Sequence, residues 1–202
     1  MFRRGIIVAA AIGLTALAAV ALSAAWVANQ SPPGSRTAAA IGGRFSLVDD
    51  RGESVTEATL LGKPSVIYFG YTYCPEICPT TLADLTRWMR DLGPAADRLN
   101  YVFVTVDPQR DTIKTMHEYV GSFDPRLRGY TGTPEQVAAA AKAFRVYYRK
   151  VPTSDGGYEM DHSAFLYLMG PDGTFVDMIA YGQKDDQAVV KLRKLVAMGP
   201  AP

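Results

Sequence analysis

Between residues 41 and 199 short apolar runs alternate with segments whose apolar positions recur at helical spacing, and this alternation predicts an α/β domain. A short strand and turn are expected at Phe45-Ser-Leu47-Val48 and Asp49-Asp-Arg-Gly52. The run Ser65-Val-Ile-Tyr-Phe69, bounded by Lys63-Pro64 and Gly70, is continuous, as a strand buried on both faces should be. From Pro79 the positions Leu82, Leu85, Trp88, Met89 and Leu92 share one helical face and end at Gly93-Pro94, an amphipathic helix with proline near its first turn. Tyr101-Val-Phe-Val-Thr-Val106 is a second buried strand, ending in the polar turn Asp107-Pro-Gln-Arg110-Asp111. Asp111 or Thr112 then caps a helix carrying Ile113, Met116, Tyr119 and Val120.

A third helix is expected from Pro134 to Phe144 behind an N-cap at Thr133. Beyond it, residues 146–151 and Tyr158 flank Ser154-Asp-Gly156-Gly157, a hairpin with an exposed tip. Residues 161–168 and 174–179, separated by Pro171-Asp-Gly173, form an antiparallel pair, and a closing helix spans Asp185 to Val196. The whole is a mixed sheet covered by helices on both faces, with no internal repeat.

Ahead of the domain, Arg3 and Arg4 precede an apolar run over residues 6–28 broken only by Gly13, Thr15 and Ser23. A bilayer needs about 20 such residues, and the arginines hold the start in the cytoplasm. The competing reading is a cleavable signal cut near Ala21-Leu-Ser23 or Ser23-Ala-Ala25. Signal cores typically run about 7 to 15 residues, so the length favours an uncleaved anchor. Residues 29–40, rich in Ser, Pro, Gly and Ala with one charge at Arg36, read as a flexible tether. The expected organisation is an anchor over 1–28, a linker over 29–40 and a folded domain over 41–199. That domain would face the periplasmic side of a bacterial inner membrane, where disulfide chemistry is available. Twenty-one basic residues against twenty acidic, with no basic cluster, point away from nucleic acid.

Both cysteines of the chain lie in Gly70-Tyr-Thr-Tyr-Cys74-Pro-Glu-Ile-Cys78-Pro79, where the first buried strand gives way to a helix. A helix N-terminus lowers thiol pKa values, so Cys74 and Cys78 suit attack on a disulfide or binding of a soft metal such as Cu(I). The spacing is one residue longer than the redox pair C-x-x-C, which points towards metal. A structural staple closing about five residues would stabilise by only roughly 2 kcal/mol.

Histidine occurs twice. His117, mid-helix beside Glu118, reads as an ordinary surface or half-buried residue. His162 sits where loop passes into a buried strand, and a neighbouring strand entrance can face the first βα turn. Cys74, Cys78 and His162 together suit Cu(I) in a trigonal site and can also bind Cu(II), while zinc is chemically open to the same set. Asp161 can orient the imidazole, or be an exposed turn residue. Asp107, at the C-terminal end of a central strand, faces the crevice where such sheets place ligands, or begins a turn with Pro108.

Three spaced motifs then resemble one family: Gly70-Tyr-Thr-Tyr-Cys74-Pro-Glu-Ile-Cys78-Pro79-Thr-Thr-Leu82; Val104-Thr-Val-Asp107-Pro-Gln-Arg110-Asp111-Thr112; and Asp161-His162-Ser163 with Tyr167-Leu168. They are similar to the Sco/SenC copper chaperones for cytochrome c oxidase assembly, across essentially the whole domain. The resemblance implies a thioredoxin-like domain on one N-terminal helix, with copper held by Cys74, Cys78 and His162, the histidine standing where thioredoxins carry a cis-proline. It implies a role in maturing the dinuclear copper centre of cytochrome c oxidase subunit II, as metal donor or as thiol reductant, with other copper carriers or thiol reductants as further partners. The departures, Glu76, Gln109 and Ile113, remove no donor atom. The alternative function is a thiol-disulfide oxidoreductase in which Cys74 and Cys78 form a redox-active pair. A peroxidase would want an arginine near the thiolate, and none lies close in sequence.

Overall fold

The computed structural model describes residues 41–199, so the anchor expected over 1–28 and the tether over 29–40 lie outside the described residues. Among the described residues no helix is long and apolar enough to cross a membrane. The first turn forms because both the Arg51 and Glu53 amides donate to Asp49 Oδ1 at 2.9 Å, while Gly52 takes a φ of 88°. It joins β1 (Ser46–Asp49) to β2 (Ser54–Thr56) in an antiparallel pair.

The apolar run after Pro64 becomes β3 (Ser65–Gly70), with all six residues buried, and leads through the cysteine loop into α1 (Ile77–Leu92). β4 (Asn100–Thr105) pairs with β3 in parallel, as a βαβ crossover requires. α2 (Ile113–Gly121) starts at Thr112, whose side chain accepts from the Thr115 amide. It crosses to β5 (Leu127–Thr131), parallel to β4 and antiparallel to β1. α3 (Pro134–Ala143) opens on a capping box between Thr133 and Gln136. A two-stranded hairpin, β6 (Tyr148–Pro152) and β7 (Tyr158–His162), stands apart from the main sheet. β8 (Phe165–Met169) and β9 (Phe175–Ala180) return to it antiparallel, and α4 (Asp185–Ala197) closes the fold.

The main sheet therefore has seven strands in the order β2-β1-β5-β4-β3-β8-β9. Strand alternation divides the core. Tyr68 and Phe103 share one face with Tyr119 of α2, while Phe69 and Tyr167 share the other with Phe144 at the end of α3. α4 packs on α1, where the Trp88 indole and the Arg87 guanidinium both donate to Asp185 at 2.8 and 2.6 Å. The mixed sheet flanked by helices agrees with the expected class. Strands β2 and β5 were not in the expected element order.

Candidate metal centre

The C-terminal end of β3 carries the cysteine loop, held by a buried carboxylate from the neighbouring crossover. Asp111, fully buried, accepts from the Thr72 amide (3.1 Å), the Thr72 hydroxyl (2.6 Å) and the Thr105 hydroxyl (2.6 Å). Its burial raises its pKa above the ordinary carboxylate value. Thr72 is thereby fixed two residues ahead of Cys74.

Cys78 is the second residue of α1, where backbone N–H groups have no partner within the helix. Its amide donates instead to Cys74 Sγ at 3.3 Å. Pro79 follows in the first turn, where its missing N–H is no loss. Both cysteines are free thiols, Cys78 buried and Cys74 partly exposed. The Cys78 thiol's hydrogen bond, seconded by backbone amides against the opposing effect of burial, lowers the Cys74 pKa to about 4. The Cys78 proton is held in return, so its own pKa is pushed well up by the bond to Cys74 and by burial.

His162 is the last residue of β7, separated from β8 by Ser163 and Ala164, so it ends the hairpin rather than opening the main sheet. Its Nε2 lies 3.4 Å from Cys78 Sγ and its Nδ1 lies 3.1 Å from the Ser163 carbonyl. A carbonyl oxygen only accepts, so Nδ1 carries the proton and Nε2 keeps the lone pair that faces sulfur. Tyr71 and Tyr68 pack edge-on against the imidazole at 5.8 and 6.3 Å between ring centres, and the Tyr68 hydroxyl lies 3.7 Å from Cys78 Sγ. The donor atoms of Cys74, Cys78 and His162 all fall within 4.8 Å of one another. Two thiolate sulfurs and one imidazole nitrogen are a soft, three-donor set that fits Cu(I).

Asp161 lies elsewhere. Adjacent residues of a strand point to opposite sides, and Asp161 is exposed and pairs with Arg149 at 3.3 Å. The partner expected of it on the imidazole is the Ser163 carbonyl instead. Asp107 is buried, yet it touches neither sulfur: one oxygen accepts from Arg110 Nε and the other from the Tyr158 hydroxyl at 3.0 Å. His117 is exposed and its Nδ1 lies 3.1 Å from Asp50, in keeping with an ordinary surface residue. Tyr68, Tyr71 and Arg110 were not singled out for the site by sequence; the run of tyrosines just ahead of Cys74, at 68, 71 and 73, was the signal on offer.

The sequence pattern of the SCO1/SenC family matches residues 33–197. The chain belongs to the SCO1/SenC family. Among its relatives, the Arabidopsis thaliana mitochondrial protein SCO1 homolog 1 is 45% identical over 150 residues, which cover 73% of this chain and 44% of that protein. The chain thus spans less than half the length of that relative. The mouse mitochondrial SCO2 homolog is 40% identical over 191 residues, covering 93% of this chain and 75% of its own. A solved structure of Bradyrhizobium japonicum ScoI with copper bound is 46% identical, with a TM-score of 0.72 over 77% of this chain and 99% of that one. The SCO1/SenC match takes in all three donor residues.

Proposed function

We propose that this protein is a copper-binding metallochaperone that helps to mature the dinuclear copper centre of cytochrome c oxidase subunit II, its cargo held by Cys74, Cys78 and His162. The observation that carries this reading is the convergence of those three donors within 4.8 Å at one end of the sheet. A 46% identical ScoI solved with copper bound supports the metal, and the family supports the role. Cys74, partly exposed where Cys78 is buried, is the sulfur an incoming ligand reaches first, and transfer proceeds by exchange of ligands rather than by turnover. In this reading residues 1–28 anchor the domain on the periplasmic side of a bacterial inner membrane, supported by Arg3, Arg4 and the apolar run.

The test is a competitive Cu(I) titration of the reduced protein beside Cys74→Ser and His162→Ala. Tight one-to-one binding that falls steeply in both variants is expected; weak binding indifferent to His162 would remove the metal reading. A second reading, thiol-disulfide exchange on partner cysteines, has its own observation. The Cys74 thiol is acidic and the more exposed of the two, while Cys78 holds its proton, the division between an attacking and a resolving thiol. Reduction of a partner disulfide that needs both cysteines and tolerates His162→Ala would establish it.

A further inference from the structure

Two of the three family motifs contain the donors, whereas residues 104–112 contribute none and instead bracket the site from both sides. Asp111 holds the cysteine loop at Thr72. Arg110 reaches the other way. Its Nε donates to Asp107, its Nη1 donates to the Tyr158 carbonyl at 3.0 Å, and its guanidinium lies 3.8 Å over the Tyr158 ring. The same guanidinium lies 4.8 Å from the Tyr73 ring and 5.7 Å from the Tyr71 ring, both on the cysteine loop. Its Nη2 is buried without a hydrogen-bond partner among the described residues, so aromatic faces take the place of a second anion. The Tyr158 hydroxyl completes a ring of contacts by donating to Asp107.

Tyr158 begins β7 and His162 ends it. A lone two-stranded hairpin is marginal in water, so the placement of β7 over the sulfurs depends on what grips it. Its tip bonds only to itself, through Thr153, Asp155 and Gly157. Met160 is buried and its backbone meets the Tyr71 hydroxyl, Tyr71 and Tyr68 pack on the His162 ring, and Tyr148 packs on the core. The polar grip at the start of β7 comes from Arg110 and Asp107, with an exposed bond from Lys150 to Gln109. We propose that Arg110 is the positioning residue for His162, clamping β7 to the cysteine loop so that Nε2 is presented to the sulfurs. This deepens the copper reading and rests on it.

The experiment is a double-mutant cycle on the full-length reduced chain in detergent, with Cu(I) affinity read by competition with a colorimetric chelator. Four proteins are compared: unaltered, Arg110→Met, His162→Ala and the double variant. Contacts that orient a metal ligand are typically worth about 10 to 100-fold in affinity. Arg110→Met should lose that much where His162 is present and less than about twofold where it is absent, since coupled residues are not additive. Equal loss in both backgrounds, or none in either, overturns the proposal. Arg110→Lys keeps the charge without the planar fork and should not restore binding; full restoration would refute a clamp. Tyr158→Phe, which removes one hydroxyl, should give a smaller loss that also vanishes without His162, and it serves if Arg110→Met does not fold. On the Cu(II) form, nitrogen hyperfine coupling in the electron paramagnetic resonance spectrum should weaken in Arg110→Met, and an unchanged signal counts against the proposal. If the unaltered protein binds no copper, or His162→Ala binds as well, the copper reading itself has failed, an outcome distinct from these.

Discussion

His162 Nε2 lies 3.4 Å from Cys78 Sγ across 84 positions of sequence, and the Ser163 carbonyl, by engaging Nδ1, leaves Nε2 free to meet the sulfur. The two sides of this contact come from different layers. Cys78 is fixed by the start of α1 over the sheet, whereas His162 rides on a hairpin outside the sheet. The donor set is therefore assembled by tertiary placement and can be opened by moving one small unit. This is a physical basis for passing a metal on.

The first expected outcome concerns His162→Ala. If contacts behind a ligand are worth roughly 10 to 100-fold, loss of a donor itself should weaken Cu(I) binding by at least about 100-fold. The ring is only half-buried, so thermal unfolding of the metal-free variant should move by a few degrees at most. Chelator competition and a melting curve on the same sample separate the two effects. A large fall in melting temperature with unchanged affinity would mean that the residue is structural.

The thiol pair carries a pH signature. The Cys74 pKa is lowered to about 4, chiefly by the Cys78 hydrogen bond, so its thiolate is present above that pH and lost only as pH falls through it. An ordinary thiol of pKa about 8.5 reacts roughly 100-fold more slowly at pH 5 than at pH 7. Iodoacetamide labelling of Cys74 in the reduced protein should instead be nearly flat between those two values, while buried Cys78 stays unlabelled. Mass spectrometry of the labelled peptide reads both, and a steep fall at Cys74 would show that the two thiols do not share a proton.

Much of this was legible in the sequence because α1, α2 and α3 carry regular apolar spacing and recognisable caps, and because β3 and β4 are unbroken apolar runs. β5 escaped notice for a physical reason. It reads Leu-Arg-Gly-Tyr-Thr, and Gly129 at its centre gives no strand signal. The glycine is there because Met116 and Val120 of α2 close on it, with a Cβ at that point falling 3.1 to 3.3 Å from their side chains. The metal donors were legible as residue types, but the partners of Asp107 and Asp161 were not. Asp107 meets Tyr158, 51 positions away, and which side of β7 Asp161 takes depends on a register that only the fold sets.

Asp111 should govern the cysteine loop without touching sulfur. Asp111→Asn replaces one of two accepting oxygens with an NH₂ group facing hydroxyl and amide donors from Thr72 and Thr105. Leaving a buried donor unmet costs about 1 to 3 kcal/mol. Urea unfolding at pH 7 should show a loss in that range, and copper affinity should fall with it because the loop before Cys74 is freed. Stability equal to that of the unaltered protein would mean that the threonine hydroxyls simply turn to accept.

Gly70 closes β3 directly beneath the pair, and a Cβ added there would lie 2.7 Å from Cys78 Sγ and 2.7 Å from the Phe103 ring. Neither neighbour can swing aside: Phe103 is fully buried in the sheet face and Cys78 is held by the helix start. Overpacking of this kind typically costs about 1 to 3 kcal/mol, and here relief would push the sulfur out of line with His162. Gly70→Ala should therefore lower both stability and copper affinity. Gly121, at the end of α2, has nothing within 4 Å of its added Cβ, so Gly121→Ala should leave affinity unchanged and stabilise by up to about 1 kcal/mol. Chemical denaturation and chelator competition on both variants decide the matter. If Gly70→Ala binds copper as tightly as Gly121→Ala does, the sulfur has room to retreat and the packing beneath it does not set the site.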